Sequence, residues 1–397
     1  MAGEDVAASK QWLQGTHRLV PPAVTLERVR PLMPAMGITR LADLTGLDRI
    51  GLPVVASIRP NSRSVSVSMG KGHDLDAAKA SALMEAAESW HAERTLLPLR
   101  WAAADELDGA VADLEAMPRH GRVDPTRRSL WVAGRCLRTD EAVWLPYEAV
   151  HTDYTLPQPA GSGVFLAESN GLASGNDARE ATCHALCELI ERDAVAAWGE
   201  LPIHQRHAMR VDLSTVEDEI NLASLDRLRS AGMAVHVWDI TSDVGVATYV
   251  CLIVDRREPQ GHSGLGSGCH LQREIALSRA VLEAVQVRAT YITGARDDLQ
   301  RQEYEHVRLK GRLATARKLV GEGRPVRRVA DAPTVVNASL DDDIEWLLLR
   351  LAAAGVPQAI AVDLSRADWP LAVVRVVAPG LAPEDEGTPV LQRRRAA

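Results

Sequence analysis

Two periods of apolar and polar positions run along the chain. Residues 52–58 and 64–68 are apolar or alternate between Gly and Pro punctuation, which predicts strands. Residues 129–136, 143–147, 234–240, 246–254, 358–364 and 371–378 read the same way. Helical spacing predicts three long helices, over about 74–97, 177–198 and 271–293. Asp177 followed by Glu180 gives the second a capping-box-like start. A polar helix is expected near 299–320, and an acid-capped one over 344–354 behind Asp341–Asp343. Residues 26–36 form a short amphipathic stretch, 41–47 look helical, and 98–128 look like a loop-rich surface excursion. Strands and helices mix throughout, so the fold class is α/β or α+β and not a bundle.

The three long helices carry one motif. It reads Ala82-Leu-Met-Glu85-Ala-Ala-Glu88, Ala185-Leu-Cys-Glu188-Leu-Ile-Glu191 and Ala280-Val-Leu-Glu283-Ala-Val-Gln286. Gly72, Gly175 and His270 each stand thirteen residues before the first acid. The spacing between copies, about 100 residues, is too long for a solenoid. It describes one strand–helix unit used three times around a shared centre.

At about 100° per residue, Ser81, Glu85 and Glu88 share one helix face. His184, Glu188, Glu191 and Arg192 align on the second helix, and Gln272, Arg279, Glu283, Gln286 and Thr290 on the third. The plain alternative is three solvated faces. Against it, Glu85 and Glu88 have no Lys or Arg one turn on, and the stripe recurs on three separate stretches. Gathered carboxylates are costly unless a cation neutralises them. Mg2+ takes a few carboxylates, several waters and substrate phosphates, so the pattern points to a Mg–nucleotide site lined by three helices. Glycine-bearing segments at 70–72, 170–175 and 264–268 precede these helices and read as anion-presenting turns. Lys71 is a candidate phosphate contact or a turn cap.

Charge narrows the function. A net charge of -8 without a basic patch excludes nucleic-acid binding, and Arg393–Arg395 read as a solvated tail. No run is long and apolar enough for a membrane span, and the acidic start is no secretory signal, so a cytoplasmic protein is expected. Five cysteines, an odd number, read as reduced thiols. Cys183 and Cys187, one turn apart, are expected to be structural rather than zinc ligands.

These motifs resemble the YcaO family. The resemblance rests on Ser66-Val-Ser-Met-Gly-Lys-Gly72, Lys79 through Glu88, Glu168-Ser-Asn-Gly-Leu-Ala-Ser-Gly-Asn176, Cys187-Glu-Leu-Ile-Glu-Arg-Asp193, and His270 through Arg288, in the family's usual order. It covers roughly residues 50–380. It implies a YcaO-type ATP-binding fold of three related strand–helix units around a central Mg–nucleotide site. The implied divisions are an N-terminal helical segment (1–50), the YcaO domain (51–380) and a C-terminal tail (381–397). It also implies ATP and Mg2+ as cofactors, with Glu85, Glu88, Glu188 and Glu191 as metal ligands and Glu191 and Arg192 as catalytic residues. The nucleotide contacts would be Lys71, Ser81, Asn170, Arg192, Arg279, Glu283 and Gln286. Arg288 falls off the polar stripe of its helix and is read as an alternative structural ion-pair partner. Ser89 departs from the family, where many members have Arg, and Arg279 is the expected compensation.

Such enzymes phosphorylate a backbone amide oxygen while a nucleophile adds to the amide carbon. The chain lacks the Pro-x-Pro-x-Pro tail of many cyclodehydratase members, and its segment from Val24 to Asp48 looks like members paired with TfuA-type proteins. The expected reaction is therefore thioamide formation on a ribosomally made precursor peptide, with a TfuA-like or other partner protein. A homodimer is compatible with this reading. Azoline formation with a separate partner is the alternative, and a non-catalytic ATP-binding scaffold the third reading.

Overall fold

The computed structural model describes residues 9–257, 262–321 and 323–383. Helix α1 (Pro22–Val29) precedes a three-stranded antiparallel sheet of β1 (Arg40–Asp43), β2 (Val54–Ile58) and β3 (Val67–Lys71), and α2 (Leu75–Ala92) lies across β2 and β3. Next come β4 (Leu99–Ala102), β5 (Ala110–Val111), β6 (Ser129–Cys136), β7 (Ala142–Pro146) and β8 (Leu172–Gly175), followed by α3 (Ala178–Glu200). Helices α4 (Ile203–Ala208) and α5 (Glu219–Ser230) lead to β9 (Met233–Asp239), β10 (Thr248–Asp255) and β11 (Gly264–Cys269), a second three-stranded sheet, and then to α6 (Arg273–Thr293). After α7 (His306–Val320) and α8 (Leu340–Ala353), strands β12 (Ile360–Asp363) and β13 (Ala372–Val377) return to the large sheet. That sheet has the order β5-β7-β6-β12-β13-β8, with β4 beside β6.

The three expected units are β3–α2, β8–α3 and β11–α6. The caps explain two of their starts. Asp74 accepts from the backbone of Ala77, and Asp177 from that of Glu180. Each helix touches its own strand and also the strand of another unit: α2 meets β8, α3 meets β11 and α6 meets β3. The contacts therefore close a ring, with the acidic faces turned to its centre.

Several expectations change. Residues 40–43 form β1 rather than helix, because they pair with β2 (Arg40 opposite Ile58), so the first unit's sheet begins before residue 51. The 98–128 excursion contains β4, which is paired to β6 through Ala102 opposite Ser129. Four of the five glycines at 70–72 and 264–268 stand in strands rather than in turns. Gly70, Gly264, Gly266 and Gly268 lie within strands β3 and β11, where they let helices approach. A Cβ on Gly70 would stand 2.1 Å from the Ala82 nitrogen, and one on Gly264 would stand 1.9 Å from the Ala284 oxygen. Of the glycines in the three segments that precede these helices, Gly171, at φ +77°, is the one in a turn that needs a left-handed residue. Arg393–Arg395 and most of the expected tail lie outside the described residues.

All five cysteines are buried and free, which agrees with structural thiols. Among the described residues no helix is long and apolar enough to cross a membrane.

Candidate functional site

Each helix offers two polar positions to the centre, three residues apart. Glu85 and Glu283 use the first position alike. Glu85 accepts from the Met69 backbone at 3.4 Å and Glu283 from the Ser267 backbone at 3.3 Å, each from the strand of its own unit. The second position reaches another unit. Glu88 of α2 accepts from the Ser174 backbone and hydroxyl on β8, at 2.8 and 2.7 Å. Glu191 of α3 accepts from the Ser267 hydroxyl (2.7 Å) and the Cys269 backbone (2.9 Å) on β11. The ring closes through a charge, because Lys71 of β3 donates to Glu283 of α6 at 2.7 Å. Lys71 is therefore an inter-unit ion pair and not a turn cap.

The electrostatics of the centre are unbalanced in a telling way. Burial pushes Glu88 up to about 8, and the neighbouring charges of Glu85 and Glu188 add to it despite the Ser174 hydrogen bonds. Burial likewise pushes Glu188 up to about 7, with Glu191 adding and Arg192, Arg375 and Arg279 opposing. Glu85 is raised by burial, against the pull of Lys71 and Arg296. Glu283 goes the other way: burial would raise it, but Lys71, Arg192 and Arg279 hold it down at about 2. Burial thus outweighs the nearby cations at Glu85, Glu88 and Glu188, while at Glu283 the direct bond to Lys71 together with Arg192 and Arg279 outweighs burial.

The donor set fits a divalent cation with an anion beside it. Among the described residues no three His, Cys, Asp or Glu side chains stand close enough to hold a metal by themselves. A cation here would need phosphate and water to complete its shell, as Mg2+ commonly takes them. Two buried polar atoms at the centre, Gln286 Oε1 and Arg279 Nε, have no hydrogen-bond partner. Sealed polar atoms of this kind fit a site shaped for a polar ligand.

The other expected residues fall as follows. Ser81 lies half-buried on α2 one turn before Glu85, and Asn170 lies half-buried in the turn before β8. Arg192 acts on Glu188 and Glu283 from α3. Arg279 does not compensate for Ser89. It acts on Glu188, Glu283 and His184, whereas the cations acting on Glu85 are Lys71 and Arg296. Ser89 instead donates to the Glu85 carbonyl at 3.3 Å. Arg288 is structural: it is buried between Asp48 (2.7 Å) and Asp255 (3.2 Å). Ser174, Ser267, Arg296 and Arg375 were not anticipated. The only signal for Arg375 was a charge inside an otherwise apolar strand.

Residues 69–382 match the family model described as YcaO cyclodehydratase, ATP- and Mg2+-binding. A protein in the tfuA 3′ region of Rhizobium leguminosarum bv. trifolii is 33% identical over 395 residues, covering 96% of this chain and 93% of that protein. A protein of Methanothermobacter thermautotrophicus is 35% identical over 368 residues, covering 91% and 94%. The fold is similar to that of YcaO from Methanopyrus kandleri bound with AMPPCP and Mg2+, with TM-score 0.76, 24% identity and coverage of 94% and 95%. It is also similar to a heterocyclase in complex with substrate and cofactor, with TM-score 0.79, 22% identity and 96% of this chain. The chain spans about half of that heterocyclase, 54% of its length.

Proposed function

The chain belongs to the YcaO family, and on that premise we propose that it activates backbone amides of a peptide with ATP and Mg2+, forming a thioamide together with a TfuA-like partner. The observation that carries the ATP and Mg2+ part is the ring of second-position acids. Glu88 and Glu191 are each fixed to the strand of another unit, beside acids that burial has pushed up. The relative from the tfuA 3′ region supports the partner and, through it, the thioamide.

Bound Mg·ATP would supply the γ-phosphoryl group that turns an amide oxygen into a leaving group. The cation's carboxylate ligands would be drawn from Glu85, Glu88, Glu188 and Glu191, with phosphate and water completing its shell, and Glu88 and Glu188 would give up a proton to bind it. Glu191 is oriented by β11 through both oxygens, and each oxygen keeps a lone pair for a ligand. Lys71, Arg192 and Arg279 bring positive charge to the Glu283 side, where they would neutralise phosphate and the charge that develops on transfer. Ser81, Asn170 and Gln286 would contact the nucleotide, Gln286 through the acceptor that now lacks a partner.

The alternative reading, azoline formation from a neighbouring Cys, Ser or Thr side chain, is favoured by the likeness to the heterocyclase fold. Intact-mass spectrometry of the precursor peptide separates the two, after incubation with enzyme, ATP, Mg2+, sulfide and the partner. A gain of about 16 Da supports the thioamide, and a loss of about 18 Da overturns it in favour of cyclodehydration. An unchanged mass with nucleotide still bound would leave a scaffold.

A further inference from the structure

Five of the bulky apolar side chains left in solvent come from two short stretches of chain: Leu96 (75% exposed), Leu99, Trp101 (46%), Tyr154 and Leu156 (84%). Those stretches lie side by side. The Thr152 N–H donates to the Ala92 carbonyl at 3.2 Å, and Arg63 Nη1 bridges the Glu93 carbonyl (3.4 Å) and the Asp153 carboxylate (2.9 Å). Single exposed hydrophobic residues are ordinary, but a contiguous patch marks a contact surface.

A recess of about 510 Å3, open on one side, adjoins the patch and is lined by Leu114, Val123, Leu130, Trp131, Tyr147 and Phe165 among others. Trp101 stands opposite Leu130 in the β4–β6 ladder, so the two side chains share a face of the sheet. Backbone bonds hold the walls. The His120 N–H donates to the Val164 carbonyl at 2.9 Å, and the Glu148 carboxylate accepts from the N–H groups of Gly163, Val164 and Phe165 at 2.5, 3.1 and 3.0 Å. The other end of the patch approaches the centre. The charges that act on the Tyr154 phenol are those of Arg375, Glu168 and Glu93. Arg375, bonded to the Glu168 carbonyl at 2.7 Å, acts in turn on Glu188.

We propose that this patch is the track of the precursor peptide beside its modified residue. The peptide runs outward from the Glu188 end over Tyr154, Leu156 and Leu96, and it seats one bulky aliphatic or aromatic side chain in the recess. This rests on the amide-activating function proposed above. Two features favour the peptide over the partner protein as the occupant. The patch leads from the centre, which the peptide must enter, and a walled recess takes a protruding side chain, as peptide grooves do. Stable protein partners ordinarily bury a broader surface.

The test is steady-state kinetics with the partner protein, ATP, Mg2+, sulfide and the precursor peptide, on three variants and the unaltered chain. One variant combines Leu96→Gln and Leu156→Gln. The second, Ala160→Trp, fills the recess from an exposed lining position. The third, Leu349→Gln, is the control, a leucine 58% exposed on α8. KM for the peptide should rise about tenfold in the first two with kcat within about twofold, because contacts remote from the reacting amide hold ground state and transition state alike. Mg·AMPPCP affinity, the unfolding midpoint and the L349Q kinetics should not move. A KM within about twofold of the unaltered chain, or a loss carried by kcat, would overturn the proposal. So would loss of the partner protein from the co-eluting complex in the first two variants, which would make the patch the partner's docking surface. If the unaltered chain leaves the peptide mass unchanged, the function proposed above fails and the track falls with it. An unmoved KM in a chain that does alter the peptide overturns the track alone.

Discussion

The buried acids should make the nucleotide-free protein lose stability as pH rises, against the usual behaviour of carboxylates. Glu88 is raised to about 8 in the folded chain, from an ordinary value of 4.5, and Glu188 to about 7. Between those limits the folded state binds more protons than the unfolded state, so stability must fall with pH. Below pH 6.5 the buried histidines oppose this. His17, held down at about 4 by burial, and His184 and His270, held well below their ordinary value, take up protons only on unfolding. Stability tied to them is lost as pH falls through that range, which leaves pH 7 to 8.5 to the acids. Integrating the two Glu titrations over that window gives a loss of about 1–2 kcal/mol. Glu283, held near 2, contributes nothing there. Urea unfolding of metal-free protein at pH 7.0, 7.75 and 8.5 measures the slope, and Glu88→Gln should remove most of it. Calorimetric titration with Mg·AMPPCP in two buffers of different ionisation enthalpy should show about one proton released at pH 7. Stability that is flat or rises over the window, with no proton released, would refute the reasoning that burial keeps these acids protonated until a metal binds.

Two further substitutions separate site from scaffold. Glu191→Gln should fold with a stability change within about 1 kcal/mol, because the Ser267 hydroxyl can turn to accept from the new amide while the Cys269 backbone keeps its acceptor. Its peptide-dependent turnover should fall about 100-fold or more, and retained activity with a normal circular dichroism spectrum would remove Glu191 from the machinery. Arg288→Ala should cost up to about 3–5 kcal/mol by removing the buried ion partner of Asp48, while Asp255 keeps Arg49, and the folded protein should still bind Mg·AMPPCP as before. A selective loss of nucleotide affinity there would return Arg288 to the site.

The three acidic helices were legible because their chemistry is local. A cap, a 3.6-residue stripe and a Glu-x2-Glu or Glu-x2-Gln pair can all be read from one stretch of chain, and repetition at about 100-residue spacing raised each above background. From them followed the three-unit arrangement and the Mg–nucleotide reading. The strands β8 and β11 were not legible. Leu172–Gly175 and Gly264–Cys269 carry little of the β-branched or aromatic bulk that marks a strand. They are strands because β13 and β10 pair with them, and β11 is glycine-rich because α6 needs close approach. The sequence alone also determined that Glu85, Glu188 and Glu283 are equivalent. Only the tertiary structure decided that they differ, by bringing Lys71 across the ring to Glu283 while burial raises Glu85 and Glu188. Glu88 with Ser174, Glu191 with Ser267 and Lys71 with Glu283 join residues 76 to 212 positions apart. Helical periodicity fixes which face a side chain occupies, but it carries no information about the strand on the far side of that face.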